Sequence, residues 1–129
     1  MATLNPNNVV SIQTNLKDFF KVWLTFLSPY HHMTGRQIDV ASMFLYFWHK
    51  LSLGNPEVDP EVLNECVRKK VREECNITPP HFLVTMSALR KKGFIKDKGI
   101  NPRYIPSLRL DPDKTENDYV MMLYFQITK

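Results

Sequence analysis

Six basic side chains, Arg90, Lys91, Lys92, Lys96, Lys98 and Arg103, crowd into residues 90–103 with one acid, Asp97, among them. Lysine and arginine at this density can neutralise phosphates, and the counterions then released reward binding. The same charges on a solvated face would need no ligand, so the stretch is a phosphate-contact candidate. The segment before it is helical by its period. With Phe82, Leu83, Met86 and Leu89 facing inward, the outward face is Pro80, Val84, Ser87, Ala88 and Lys91, flanked by His81, Thr85 and Lys92. His81, Thr85 and Ser87 supply hydrogen bonds to bases or backbone. That face carries no Asn, Gln or outward Arg for bidentate base contacts, so sequence readout would be weak. Val84 and Ala88 suit thymine methyls and a protein partner equally well. Arg90 lies beside the inward stripe and reaches sideways, to phosphate or to an acid.

Chemistry of other kinds is not visible. No Gly-rich phosphate loop occurs. His31, His32, His49 and His81, with Cys66 and Cys75, show no metal-ligand spacing. No pair of carboxylates and no Ser/His/Asp arrangement can be defended. The expectation is a protein that is not an enzyme and takes no metal or cofactor. His31-His32 reads as a solvated turn before a helix cap, and His49 as a satisfied core or edge histidine. Cys66 and Cys75 are nine residues apart, about half a turn out of phase on one helix, so they read as reduced, partly buried thiols and not as a bond.

The elements that must position these residues fit one domain of 129 residues. With 43% of its residues hydrophobic, the chain can offset its ordering entropy. Its longest unbroken apolar run, Met43 to Trp48, is far short of the roughly 20 residues of a membrane span. No signal-peptide pattern opens it, so the reading is a soluble, cytoplasmic chain without a membrane partner. Residues 1–13 read as a polar arm and residues 14–129 as the domain. A first helix over 14–28 follows from Leu16, Phe19, Phe20, Trp23, Leu24 and Leu27, capped at Thr14 or Asn15 and stopped at Ser28-Pro29. Thr34-Gly-Arg-Gln37 is a capping box that opens a second helix to about Leu51. Its apolar residues cover nearly the whole circumference, so it is either central or a docking face. Asp59-Pro60 predicts the start of a third helix, to about Cys75, that buries Val62, Leu63, Cys66, Val67 and Val71. Its outer face alternates in sign and reads as solvated. Thr78 followed by Pro79 and Pro80 opens a fourth helix, which reaches Lys92 and ends at Gly93.

Past Gly93 the period changes to that of strands. Phe94-Ile95 predicts a short strand and Asp118 to Thr128 a longer one, with Ile105 to Leu110 a third possibility. The long connection, stiffened by Pro102, Pro106 and Pro112, reads either as a strap over the last strand or as a partner-binding loop through Tyr104 and Ile105. The last strand is apolar on both faces and calls for cover from that loop, the N-terminal arm or another chain.

Two helices joined by a very short turn, then Leu89-Arg-Lys-Lys-Gly93-Phe-Ile95 running into a hairpin, resemble the winged helix-turn-helix family over about residues 33–128. Met33-Thr-Gly-Arg-Gln-Ile-Asp-Val40 is similar to the family's first core helix. The resemblance implies an α+β fold, mainly helical, with an extra N-terminal helix and a C-terminal β-hairpin forming a long wing. It also implies binding of double-stranded DNA in transcription or replication control. Lys91, Lys92, Lys96, Lys98 and Arg103 would then meet phosphate. Net charge agrees in sign, at +2 over residues 1–56, −2 over 57–75 and +4 over 76–129. The alternative is an assembly module that joins copies of itself or larger protein structures through Val84, Ala88, Tyr104 and Ile105. A structural component of a phage particle is one form of it, which would place the chain in a virion.

Overall fold

The aromatic run at residues 43–48 lies at the centre of the fold, in a computed structural model that describes residues 2–5, 9–52, 60–106 and 119–124. In chain order the elements are β1 (Ala2–Asn5), β2 (Val9–Thr14), α1 (Leu16–Phe26), α2 (Ser28–His31), α3 (Gly35–Ser52), α4 (Glu65–Cys75), α5 (Pro79–Lys91), β3 (Ile95–Lys96), β4 (Gly99–Ile100) and β5 (Tyr119–Tyr124). A single 3-10 turn, Pro102–Tyr104, follows β4. The class is α+β.

α3 is the hub because its apolar residues surround it. Val40, Ala41, Phe44 and Leu45 are fully enclosed, and α1, α4 and α5 all pack against it. Its start is the capping box. The Gln37 amide N–H donates to Thr34 Oγ1 (3.3 Å) and the Thr34 N–H to Gln37 Oε1 (3.0 Å), so two groups with no helical partner satisfy each other. Phe20, Phe44, Phe82 and Phe94, from four segments, are buried to 1% exposure or less. Each such ring contributes roughly 1.5–3 kcal/mol by leaving water.

α1 begins where Asn15 accepts the Asp18 N–H at 2.7 Å. The chain does not leave the helical region at Ser28-Pro29, as the sequence suggests. Proline in a first turn loses no hydrogen bond, and the short α2 forms there, ending where His32 turns left-handed (φ 57°). That extra turn carries His31 inside. Met33 N–H donates to His31 Nδ1 (2.9 Å), which leaves Nε2 to carry the proton and donate to the Leu24 carbonyl (2.6 Å). Only His32 of the pair is exposed.

α4 starts five residues later than the Asp59 cap implies. Pro60 to Leu63 are not helical, and Asp59 lies outside the described residues. Asn64 is the actual cap and accepts the Val67 N–H at 2.9 Å. The late start sets the phase of the helix. Val67, Val71 and Cys75 are buried, whereas Cys66, expected inside, is exposed. Asn76, in the left-handed region (φ 49°), ends α4, and Ile77 and Thr78 lead directly into α5.

Both β expectations change. Residues 2–5 and 9–14 form strands where the sequence suggested an arm. Val9, Val10, Ile12 and Thr14 are branched at Cβ and favour extended backbone. β2 lies in the middle of an antiparallel sheet, order β1-β2-β5, with Ala2↔Ile12 on one side and Val9↔Tyr124 to Thr14↔Tyr119 on the other. β5 therefore has the N-terminal segment as its partner and does not close a long wing. The hairpin after α5 is β3–β4, with Ile95↔Ile100 and Lys96↔Gly99. Its two-residue turn, Asp97-Lys98, requires positive φ, which Asp tolerates better than most residues (Asp97 φ 56°). Ile105 and Pro106 are not in a strand, and the rest of the expected strand, Ser107 to Leu110, lies outside the described residues.

Candidate nucleic-acid interface

α5 buries Phe82, Thr85, Met86 and Leu89, an i, i+3, i+4, i+7 stripe. This phase differs by one position from the expected one. Leu83 faces water at 60% exposure, and Thr85 is inside, its hydroxyl donating to the His81 carbonyl at 2.9 Å. Thr85 is therefore removed from the candidate contacts. The solvent face is His81, Leu83, Val84 (70% exposed), Ser87, Arg90 and Lys91, with Ala88 half-buried.

Arg90, Lys91 and Lys92 leave the end of α5 in three directions, as successive residues about 100° apart must. Arg90 Nη1 donates to the Asp97 carbonyl at 3.1 Å and so holds the β3–β4 turn beside the helix. Lys91 is exposed. Lys92 points back into the protein, where Nζ donates to the His32 carbonyl and to Gln37 Oε1, both at 2.7 Å. That side chain joins α5 to the loop and first turn of α3, and is a tie within the protein instead of a phosphate contact.

The turn held by Arg90 presents Lys96 and Lys98, both exposed on either side of Asp97. A shallow groove runs from them to Pro60, Glu61 and Pro102. Gly93, at φ 84°, turns the chain out of α5, and the Phe94 N–H donates to the Leu89 carbonyl at 3.0 Å. Arg103 is exposed, its guanidinium 5.7 Å from the Tyr104 ring centre.

Tyr104 and Ile105, the expected partner-binding residues, belong to the interior. Tyr104 is 5% exposed, its ring centre 5.9 Å from Phe94 and 6.2 Å from His31. Its carbonyl accepts the Trp23 indole N–H at 2.9 Å, and Ile105 packs half-buried on the core. Over these residues the connection closes on α1 and α2, and the expected cover of the last strand by the rest of it, residues 107–118, lies outside the described residues.

Two residues missed from the sequence flank the same helix. Arg68 and Arg72 of α4 place their guanidiniums 5.7 and 5.4 Å from the Phe82 ring centre. Arg72 also donates to Glu65 at 2.8 Å, and the Arg68 Nε is buried with no hydrogen-bond partner among the described residues. Alternating charge along α4 concealed them. Their i, i+4 spacing beside Val67 and Val71 was the available signal.

A second charged cleft lies between α1, α3 and α4. There Lys17 meets Glu74 at 2.6 Å and Lys21 meets Asp39 at 2.9 Å, and each carboxylate raises the pKa of its lysine. Its cations are matched within the cleft, so it offers no uncompensated charge to an anion. Burial pushes the Cys75 thiol at its edge up to about 11, which keeps it protonated. Among the described residues, no group of three or more His, Cys, Asp or Glu is placed to hold a metal ion, and no helix is long and apolar enough to cross a membrane. No protein-family model, curated protein or solved structure matches this chain.

Proposed function

We propose that the chain is a non-enzymatic winged helix that binds double-stranded DNA with low sequence specificity, in the control of transcription or replication. One observation carries the reading: Arg90 holds the β3–β4 turn, with Lys96 and Lys98, beside the solvent face of α5 that bears Lys91. α4, the short turn at Asn76 and Ile77, and α5 act as the helix-turn-helix, and β3–β4 as a short wing. α5 enters the major groove, and Lys91, Lys96, Lys98 and Arg103 meet phosphates. Ser87 and His81 are the exposed hydrogen-bonding side chains of the helix face besides its cations, which supports weak readout of sequence. The protein would work in the cytoplasm. The test is fluorescence anisotropy of a random duplex across salt concentrations. About four phosphate contacts give a slope of log K against log salt of about −3 to −4. Absence of binding at low salt would refute the reading.

A second reading rests on Leu83 and Val84, two neighbouring apolar side chains at 60% and 70% exposure on that face. They suit an assembly module whose α5 docks on protein, as in a component of a phage particle. Under it, Val84→Asp abolishes association and leaves the fold intact.

A further inference from the structure

The line of α5 farthest from the core grades from apolar to charged. At about 100° per residue, Pro80, Val84, Ser87 and Lys91 lie along one line opposite the buried stripe, and all four are exposed. Leu83 stands beside that line. The N-terminal half of the solvent face therefore presents Pro80, with Leu83 at 60% and Val84 at 70% exposure. Ser87 follows in the next turn, and Lys91 ends the line. Val84 and Lys91 are about 10 Å apart along the axis, against a major groove about 12 Å wide. Arg90 holds two more exposed cations, Lys96 and Lys98, beside the same face. An apolar half with a cationic end matches a groove that has thymine methyls on its floor and phosphates along its walls.

We infer that α5 reads the C5-methyl groups of pyrimidines through Leu83 and Val84, so that its preferred ligand is a thymine-rich duplex. The inference rests on the DNA-binding reading and adds the chemistry by which bases are told apart. The N-terminal residues of a recognition helix are the ones that meet base edges. In α5 those are the aliphatic ones. Wherever an aliphatic side chain covers a base-edge donor or acceptor, that group loses its water without gaining a partner, which is costly. The thymine methyl is the one apolar group on a base edge, so covering it carries no such cost. Cytosine methylated at C5 puts the same methyl on a G·C pair and belongs to the same class of ligand. Lys91, Lys96 and Lys98 then set how tightly DNA is held, and Leu83 and Val84 set which bases are favoured. Covering one methyl is worth about fourfold in affinity, a small preference per base that agrees with low specificity.

The test uses the full chain and duplexes that differ only in that methyl, compared by fluorescence anisotropy at one salt concentration. Replacing every thymine of an A·T-rich duplex with uracil should weaken binding about fourfold for each methyl in contact. Methylating C5 of the cytosines in a G·C-rich duplex should strengthen binding in the same proportion. Val84→Ala and Leu83→Ala should each bring the ratio of thymine to uracil affinities toward one. Both positions are exposed, and circular dichroism checks that the helix is retained. These variants also separate contact from shape, because an effect of the methyl on duplex stiffness would not depend on either side chain. Equal affinity for the thymine and uracil duplexes would overturn the inference, leave DNA binding standing and return Leu83 and Val84 to a protein partner. A ratio that survives both substitutions would overturn it as well. Failure to bind any of the duplexes at low salt would refute the DNA-binding reading and this inference with it.

Discussion

Lys92→Met should destabilise the protein without weakening DNA binding by the folded chain, and Lys91→Met should do the reverse. The two residues are adjacent and identical, so only geometry separates them. Lys92 Nζ makes two hydrogen bonds of 2.7 Å, to the His32 carbonyl and to Gln37 Oε1. Hydrogen bonds to a charged group are worth about 1.5–3 kcal/mol each, and partial exposure lets water replace part of that. A total loss of about 2–3 kcal/mol is expected, with methionine keeping most of the apolar stem. For a domain of this size that corresponds to a fall in Tm of roughly 6–12 °C, read by calorimetry or by circular dichroism during heating. A double-mutant cycle with Gln37→Ala should return a coupling of roughly 1 kcal/mol, because the two side chains share one bond. Lys91→Met should leave Tm within about 2 °C and lower the magnitude of the salt slope by about one. Equal Tm for the two variants would refute the assignment of Lys92 as an internal tie.

The helix phase is tested by Leu89→Ala, which should cost about 2–5 kcal/mol in urea unfolding, against less than about 0.5 kcal/mol for Leu83→Ala. Thr34→Ala removes half of the capping box and should cost about 0.5–2 kcal/mol by the same assay. Cys66 should react with a thiol reagent in the native protein, and Cys75 only after unfolding. Because the folded pKa of Cys75 is raised from 9.0 to about 11, its contribution is full below pH 9 and is lost as pH rises through about 11. That loss is roughly 2–3 kcal/mol, and it should be missing from the pH dependence of Cys75→Ala.

What was legible in the sequence is what depends on near neighbours. Thr34 and Gln37 are three residues apart, and their capping box forms as read. Pro79-Pro80 fixes the start of α5 and Gly93 its end, because each restricts its own backbone. The α4 start was misread because two caps competed. Asp59-Pro60 has the stronger sequence signature, but Asn64 has the hydrogen bond to Val67. The strand partners were illegible for a different reason. β2 and β5 are paired across more than a hundred residues, and no local pattern states which apolar strand will be next to which. The Asp97-Lys98 turn was locally available, but it lacks the glycine that usually advertises a hairpin, so its two short strands were not separated from the long connection.

The candidate interface shows how composition and position part company. Arg90-Lys91-Lys92 reads as one patch of charge, but a helix end turns three consecutive residues toward three destinations. Arg90 holds the hairpin turn through the Asp97 carbonyl at the surface, Lys92 reaches back to the start of α3, and Lys91 stands exposed between them. The two ties fix the hairpin and the first turn of α3 relative to α5. The exposed cations Lys91, Lys96 and Lys98 are thus set on a framework built by their own neighbours. A basic run at the end of a helix is therefore a poor count of phosphate contacts. Removing Arg90 should disturb the placement of Lys96 and Lys98, and so affect binding through geometry as well as charge. Arg90→Lys keeps the charge but loses the guanidinium's fixed fork of donors. It should weaken DNA binding more than Lys91→Arg does, and an equal effect would show that the turn needs no holding.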